Sequence, residues 1–348
     1  MNRSVERRRY GVAGTVPGEL QVARFVHPAR GRVRCPASPL VAAGLRRAGH
    51  RVREPAHPLV PHGESGPGVL FTASFLDHTG TPVGLAVAAH EADPAGVAAA
   101  SEAVALWSAL WRTRRVMVAD LPPACCGGPS DGGCPAPSAA RKAVRSYADE
   151  GDHVVIVGRR ACASASALLA QAPGRAVVVE PGCDVAALRL PADRVRYLIQ
   201  PGMPVEEAMT VVASLRARYP ALRGPRLEDL CYAASDRLAV ARAMAFSCDR
   251  LFLLGTPGPG LLRAVSGARV HVVADPAVLR PSWLADAECV GIVPGSAASG
   301  VPVRRWIDVL SGLGPVSVVR RSVHTRTERT EPTRDPVPSG FPAPEIVC

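Results

Sequence analysis

Short apolar runs punctuate the chain at 20–28, 83–90, 115–120, 153–158, 175–180, 250–255, 269–275 and 289–295, among them HVVIVG, RAVVVE and RLFLLG. They are six to nine residues long, apolar on both faces and bounded by polar or turn residues, so they predict strands buried in parallel sheets. Between many of them, at 137–149, 204–218, 234–247 and 301–313, Ala, Leu, Val and Arg recur at helical spacing. The alternation predicts an α/β fold with mostly parallel sheets covered by helices. The stretch 95–111 is interrupted by Glu102. It reads as a buried helix, because a membrane span needs about 18 uninterrupted apolar residues. Residues 1–19 and 320–348 are rich in Arg, Pro and Thr without an apolar period, and disordered tails are expected there.

The 348 residues suffice for two or three domains at about 100–200 residues each. Basic residues outnumber acidic ones 41 to 30, yet Lys142 is the only lysine, and Pro (34) and Gly (32) are abundant. That balance reads as coding bias rather than a selected basic surface. The excess gathers at the ends (Arg3, Arg7, Arg8, Arg9; Arg320, Arg321, Arg326, Arg329). With no basic face interleaved with aromatics, no nucleic-acid partner is expected. The first residues lack the apolar core of a signal peptide, so a cytoplasmic location without a membrane partner is expected. Ten cysteines in a reducing compartment direct attention to metal or redox chemistry.

Cys35, Cys134 and Cys231 each precede a predicted helix, the first two in a repeated Cys-Pro-Ala, and they stand 99 and 97 residues apart (35 to 134, then 134 to 231). Pro is favoured just inside a helix start, and the helix dipole there favours a thiolate. Equal spacing of one local pattern suggests three copies of an α/β unit: 20–134, 135–230 and 231–319, with the strand region 20–35 expected to pack with the third. Arranged about a pseudo-threefold axis, three such units would bring three thiolates to a central [4Fe–4S] cluster with one open iron. The alternative, that the cysteines are small buried hydrophobes, stays open at this stage. Zinc is less favoured without a Cys-x-x-Cys pair. Cys125 and Cys126 read as loop residues, and Cys162, Cys183, Cys248 and Cys289 as buried ones.

Three stretches carry a family resemblance: CPAPSAARKAVRSYADEGDHVVIVG (134–158), RYPALRGPRLEDLCYAASDRLAVARAMA (218–245) and AECVGIVPGSAASGVPVRRWIDVLSGLG (287–314). They resemble the 4-hydroxy-3-methylbut-2-enyl diphosphate reductase family of the non-mevalonate isoprenoid pathway, with PARGRVRC (28–35) standing for its first cysteine. The resemblance implies three α/β domains around a [4Fe–4S] cluster held by Cys35, Cys134 and Cys231. It also implies reductive dehydroxylation of an allylic diphosphate to isopentenyl and dimethylallyl diphosphate, with electrons from a ferredoxin- or flavodoxin-like donor. His62 and His90 would fill substrate-binding histidine positions.

Elsewhere the pattern departs from the family. In GRRACASASA, Cys162 stands for a histidine and Ser164 for the proton-relaying glutamate. Pro201 replaces a threonine, GTPGPG (255–260) a Ser-x-Asn phosphate clasp and Ala297 a late serine, with Ser296 displaced by one. Arg159 and Arg160 are new charges there, suited to a different anion. Three readings follow: a working reductase, a cluster-binding paralogue with another substrate or an accessory or electron-transfer role, and a clusterless α/β binding protein.

Overall fold

A computed structural model of the chain describes residues 5–63, 66–121, 134–183, 185–295 and 302–325. The first region runs through β1 (Glu6–Val12), β2 (Leu20–Val22), β3 (Phe25–His27), β4 (Gly31–Val33), α1 (Ser38–Arg47), β5 (Val52–Arg53), β6 (Gly68–Leu76), β7 (Pro82–His90) and α2 (Pro94–Ala109). Its main sheet has the order β1-β6-β7-β2-β5, and β3 and β4 form a separate hairpin. β6 and β7 are joined by a turn in which the Asp77 carboxylate accepts the backbone N–H groups of Thr79 (2.8 Å) and Thr81 (2.9 Å). Gly80 supplies the left-handed residue (φ +80°) that such a turn demands. The hairpin makes this sheet largely antiparallel; only β2 and β5 run parallel in it.

The chain continues through β8 (Arg114–Ala119), α3 (Ala136–Asp149), β9 (His153–Val157), α4 (Ala163–Leu169), β10 (Ala176–Val179), β11 (Val195–Ile199) and α5 (Val205–Arg218). It closes with α6 (Ala233–Ser247), β12 (Arg250–Leu254), α7 (Pro259–Ala264), β13 (Val270–Val273), α8 (Pro281–Leu284), β14 (Cys289–Pro294), α9 (Val303–Ser311) and β15 (Val316–Arg321). The second sheet, β10-β9-β11, and the third, β13-β12-β14-β8-β15, are parallel throughout. The α/β class with mostly parallel sheets is therefore the one found. β8, placed by sequence in the first unit, lies between β14 and β15, so the third sheet is completed by a strand that precedes the second sheet in the chain. Residues 20–27 pair with β7, β5 and β4, while Leu20 and Val22 pack in one apolar core with Val116, Phe252 and Ile292 of the third sheet.

The expected disordered front tail is corrected as well. Glu6–Val12 pairs residue for residue with β6, from Glu6 opposite Ser74 to Val12 opposite Gly68. Its Arg7, Arg8 and Arg9 side chains are exposed. An edge strand held by main-chain hydrogen bonds shows no apolar period. β15 likewise carries regular structure to Arg321; residues 326–348, where the rest of the rear tail falls, lie outside the described residues.

One apolar core joins the first region to the third sheet. Leu40, Leu45, Leu85, Val104 and Trp107 pack in a single cluster with Val116, Phe252, Ile292, Trp306 and Leu310. Inside this junction lies Arg114, 1% exposed. Its Nε donates to the carbonyl of Ala287 (3.1 Å), its Nη1 to that of Leu313 (2.9 Å) and its Nη2 to those of Leu110 (2.7 Å) and Leu284 (3.2 Å). Leu110 caps α2, Leu284 ends α8 and Leu313 follows α9. The cation thus collects carbonyls at the ends of three helices, where the partial charge is negative. Burial and the nearby Arg112 lower its pKa to about 10, which leaves it charged at neutral pH.

A second buried polar group ties β1 down. His27, 3% exposed, accepts the backbone N–H groups of Ala29 (3.1 Å) and Arg30 (3.2 Å) at Nδ1. Its proton therefore sits on Nε2, which faces Glu6 (3.3 Å) and Tyr10 (3.5 Å) of β1. Arg30 bridges the same carboxylate at 3.1 Å and Arg8 at 2.8 Å.

Two outcomes are expected from these groups. Arg114→Met strands up to four buried carbonyls at about 1–3 kcal/mol each, so denaturant unfolding should report a loss of roughly 3 kcal/mol or more; a loss under about 1 kcal/mol would contradict the assigned role. Burial lowers the His27 pKa below its usual 6.5, against an opposing pull from Glu6. The folded state therefore resists protonation, and the associated stability, complete above pH 6.5, is lost as pH falls below that value. His271, stacked on Trp283 and likewise lowered by burial, acts in the same direction. Urea unfolding at pH 7.5 and 5.5 should show a smaller pH dependence in His27→Gln than in the parent protein, and an equal dependence would refute this account.

Candidate functional site

Cys134 stands two residues before α3, with Pro135 at the cap, and Cys231 stands two before α6, after a 3₁₀ turn over Leu227–Asp229. Both cysteines are partly exposed. A cleft of about 240 Å³ is walled by Ala136, Ala139, Ala140 and Ala143 of α3, by Leu198, Ile199 and Pro201 at the end of β11, and by Pro225, Asp229, Leu230 and Cys231. The first turn of the helix behind Cys134 and the Cys231 residue itself therefore share one cavity. The start of α6 is held from two sides. The buried Ser235 hydroxyl accepts the N–H of Val205 (2.9 Å) and donates to Glu206 (2.9 Å). The buried Asp236 carboxylate accepts the N–H (3.2 Å) and hydroxyl (2.6 Å) of Thr325.

Cys35 does not belong to this arrangement. Only 8% exposed, it packs among Val12, Ala23, Phe25, Val33, Leu59 and Leu70, and its thiol donates to the carbonyl of Val33 at 3.8 Å. Burial pushes its pKa up to about 12, so without a bound metal it is a thiol at neutral pH. α1 begins three residues later, at Ser38, behind Ala37. Cys35 thus lies in this apolar layer and not among the residues that wall the Cys231 cleft. Among the described residues no three His, Cys, Asp or Glu side chains converge as a metal site. Cys125, Cys126, Ser296 and Ala297 lie outside the described residues.

The two histidines are also apart. His62 is exposed, and its backbone N–H bonds the carbonyl of Gly11 on the free edge of β1 (2.9 Å). His90 ends β7, opposite Gly68 of β6, and its Nδ1 accepts the N–H of Ala92 (3.1 Å). Three strand spacings separate them, roughly 14 Å, and neither lines the Cys231 cleft.

Ser164 lies in the first turn of α4, beyond the carboxyl end of β9. Its hydroxyl is held by the side-chain amide of Gln200 and lies 3.2 Å from the thiol of Cys162. The Gln200 oxygen also accepts the N–H of Arg159 (2.6 Å), and its side chain covers the face of Gly158, where a Cβ would collide with it. Arg159 pairs with Glu207 at 3.0 Å, and Arg160 donates to the carbonyl of Val178 at 3.2 Å. Gln200 organises this corner and was missed by the sequence reading, although a glutamine closing the apolar run YLIQ is a visible signal. Of the cysteines expected to be buried, Cys162, Cys248 and Cys289 are partly so, whereas Cys183 is exposed; a surface turn after β10 carries it.

The sequence pattern of the LytB protein family matches residues 125–311. That is more than half of the chain, and the chain belongs to this family. Among characterised relatives, 4-hydroxy-3-methylbut-2-enyl diphosphate reductase 2 of Mycobacterium bovis is 31% identical over 206 residues, which cover 57% of this chain and 63% of the relative. The reductase of Neisseria gonorrhoeae is 29% identical over 54% of this chain and 61% of its own length. The matched stretch thus spans less than two thirds of these relatives. In three dimensions, the Plasmodium falciparum E-1-hydroxy-2-methyl-but-2-enyl-4-diphosphate reductase aligns over 62% of this chain and 74% of its own, at 15% identity and a TM-score of 0.47. The family match contains Cys134, Cys231 and Ser164, and leaves out Cys35, His62 and His90.

Proposed function

We propose that this chain is a diverged oxidoreductase-family protein that keeps the family's metal-binding end at Cys134 and Cys231 and has lost its proton-delivering end. In this reading the two thiolates contribute to an iron–sulfur centre of the [4Fe–4S] type, Cys35 does not supply the third, and electrons come from a ferredoxin- or flavodoxin-like donor. The ligand is a small diphosphate or a related anion.

The observation that carries the divergence is the state of Ser164. Removing a hydroxyl as water requires a proton on the leaving oxygen, and a positioned general acid typically contributes about 10²–10⁴-fold. A serine hydroxyl is far too weak an acid for that near neutral pH, and this one is already engaged by Gln200 and faces Cys162. Arg159 and Arg160 do not compensate, since their side chains are turned to Glu207 and to the carbonyl of Val178. With His62 and His90 away from the cleft, the family's grip on a diphosphate is absent as well.

Cluster-loaded protein given artificial reductant and 4-hydroxy-3-methylbut-2-enyl diphosphate under anaerobic conditions should therefore consume it far more slowly than an ordinary enzymatic rate of about 1 per second. Turnover at that rate or above would restore the reading of a working reductase.

A further inference from the structure

Cys248 and Cys289 form a second thiol centre, unrelated to the cleft. Cys248 caps the C-terminal end of α6, whose 15 residues set it about 22 Å from the Cys231 end. Cys289 opens β14. The Cys289 thiol donates to the sulfur of Cys248 at 3.6 Å, and Cys248 donates to the Met117 thioether, also at 3.6 Å. The backbone fixes both residues: the N–H of Asp249 bonds the carbonyl of Cys289 (2.9 Å), and the Asp249 carboxylate accepts the N–H groups of Glu288 (2.9 Å) and Cys289 (2.8 Å). Gly291 makes room for the pair, because a Cβ there would stand 3.0 Å from the Cys248 sulfur. Both cysteines are partly exposed, so a small oxidant has access.

We propose that Cys248 and Cys289 are a site of oxidative modification, which closes to an intrachain disulfide when the protein meets hydrogen peroxide. The alternative use of two thiols and a thioether is a soft monovalent metal ion. That would require two thiolates beside the Asp249 carboxylate in a partly apolar setting, and burial together with Cys289 and Asp249 already raises the Cys248 pKa. A disulfide is neutral, and the charge penalty disappears. In the first step Cys289, as thiolate, attacks one peroxide oxygen; an S–O bond forms, the O–O bond breaks, and the departing hydroxide takes up a proton to become water. Cys248, deprotonated in turn, attacks the sulfenic sulfur; the S–S bond forms, the S–O bond breaks, and a second water leaves. Overall two thiols and one peroxide give one disulfide and two waters. Because Cys248 is held protonated, closure is slow near neutral pH and accelerates as pH rises.

The test is a peptide map of full-length protein, reduced, exposed to hydrogen peroxide at pH 7 and at pH 9, and then alkylated. A linked peptide joining Cys248 to Cys289, lighter by two hydrogens, reversed by dithiothreitol and formed faster at pH 9, is expected. Met117→Leu should retain the link and Cys289→Ser should lose it. Recovery of both residues singly alkylated after peroxide, their oxidation to sulfinic acid without linkage, or linkage of either to another cysteine would overturn the proposal, and each is read in the parent protein whether or not a variant folds.

Discussion

The guanidinium of Arg114 is the joint on which this architecture depends. Buried at the junction, it collects the carbonyls of Leu110, Leu284 and Leu313 at the ends of α2, α8 and α9, and that of Ala287 ahead of β14. Helix ends converge readily on a cation, because each presents unsatisfied carbonyls and a partial negative charge. The consequence is topological. Arg114 opens β8 and locks that strand between β14 and β15, while α2 of the first region is drawn onto the same core. With β8 so fixed, the chain leaves the third sheet for α3 and returns at α6, and one cleft is bordered by α3 and by Cys231 ahead of α6.

Much of this was legible in the apolar pattern. The helices α3, α5 and α6 begin and end within about two residues of the periodic stretches; α3 and α5 bury an apolar stripe, whereas the buried face of α6 includes Ser235 and Asp236 beside Val240, Ala241 and Met244. The parallel strands β9, β12 and β14 are apolar on both faces and could be read directly. β6 was not, since Thr72 and Ser74 interrupt its run although both are buried. β1 and β15 were missed because edge strands expose their side chains, and no apolar period marks them. Arg114 reads as one arginine among many until tertiary structure brings three helix ends to it.

The cysteines show the limit more sharply. Cys-Pro-Ala occurs at both 35 and 134, and helices follow both. Local sequence specifies the helix start, but the preceding segment and its neighbours decide where the sulfur goes. β4 delivers Cys35 into the apolar layer beneath β1, β6 and β7, where burial holds the proton on its sulfur. Cys134 is partly exposed. The family relationship respects the same division: residues 125–311 carry it, while the largely antiparallel sheet that precedes them is of different construction. Within the matched part, Gln200 and Cys162 occupy the surroundings of Ser164.

The central proposal is that Cys134 and Cys231 contribute ligands to an iron–sulfur centre and that Cys35 does not. Iron and acid-labile sulfide, counted per chain after anaerobic reconstitution of the parent protein and of Cys35→Ala, Cys134→Ser and Cys231→Ser, test it most directly. The account predicts about four irons per chain in the parent, as a [4Fe–4S] centre requires, an unchanged count in Cys35→Ala, and depletion in the other two. Loss of iron from Cys35→Ala as deep as that from Cys134→Ser, in protein that remains folded, would contradict it.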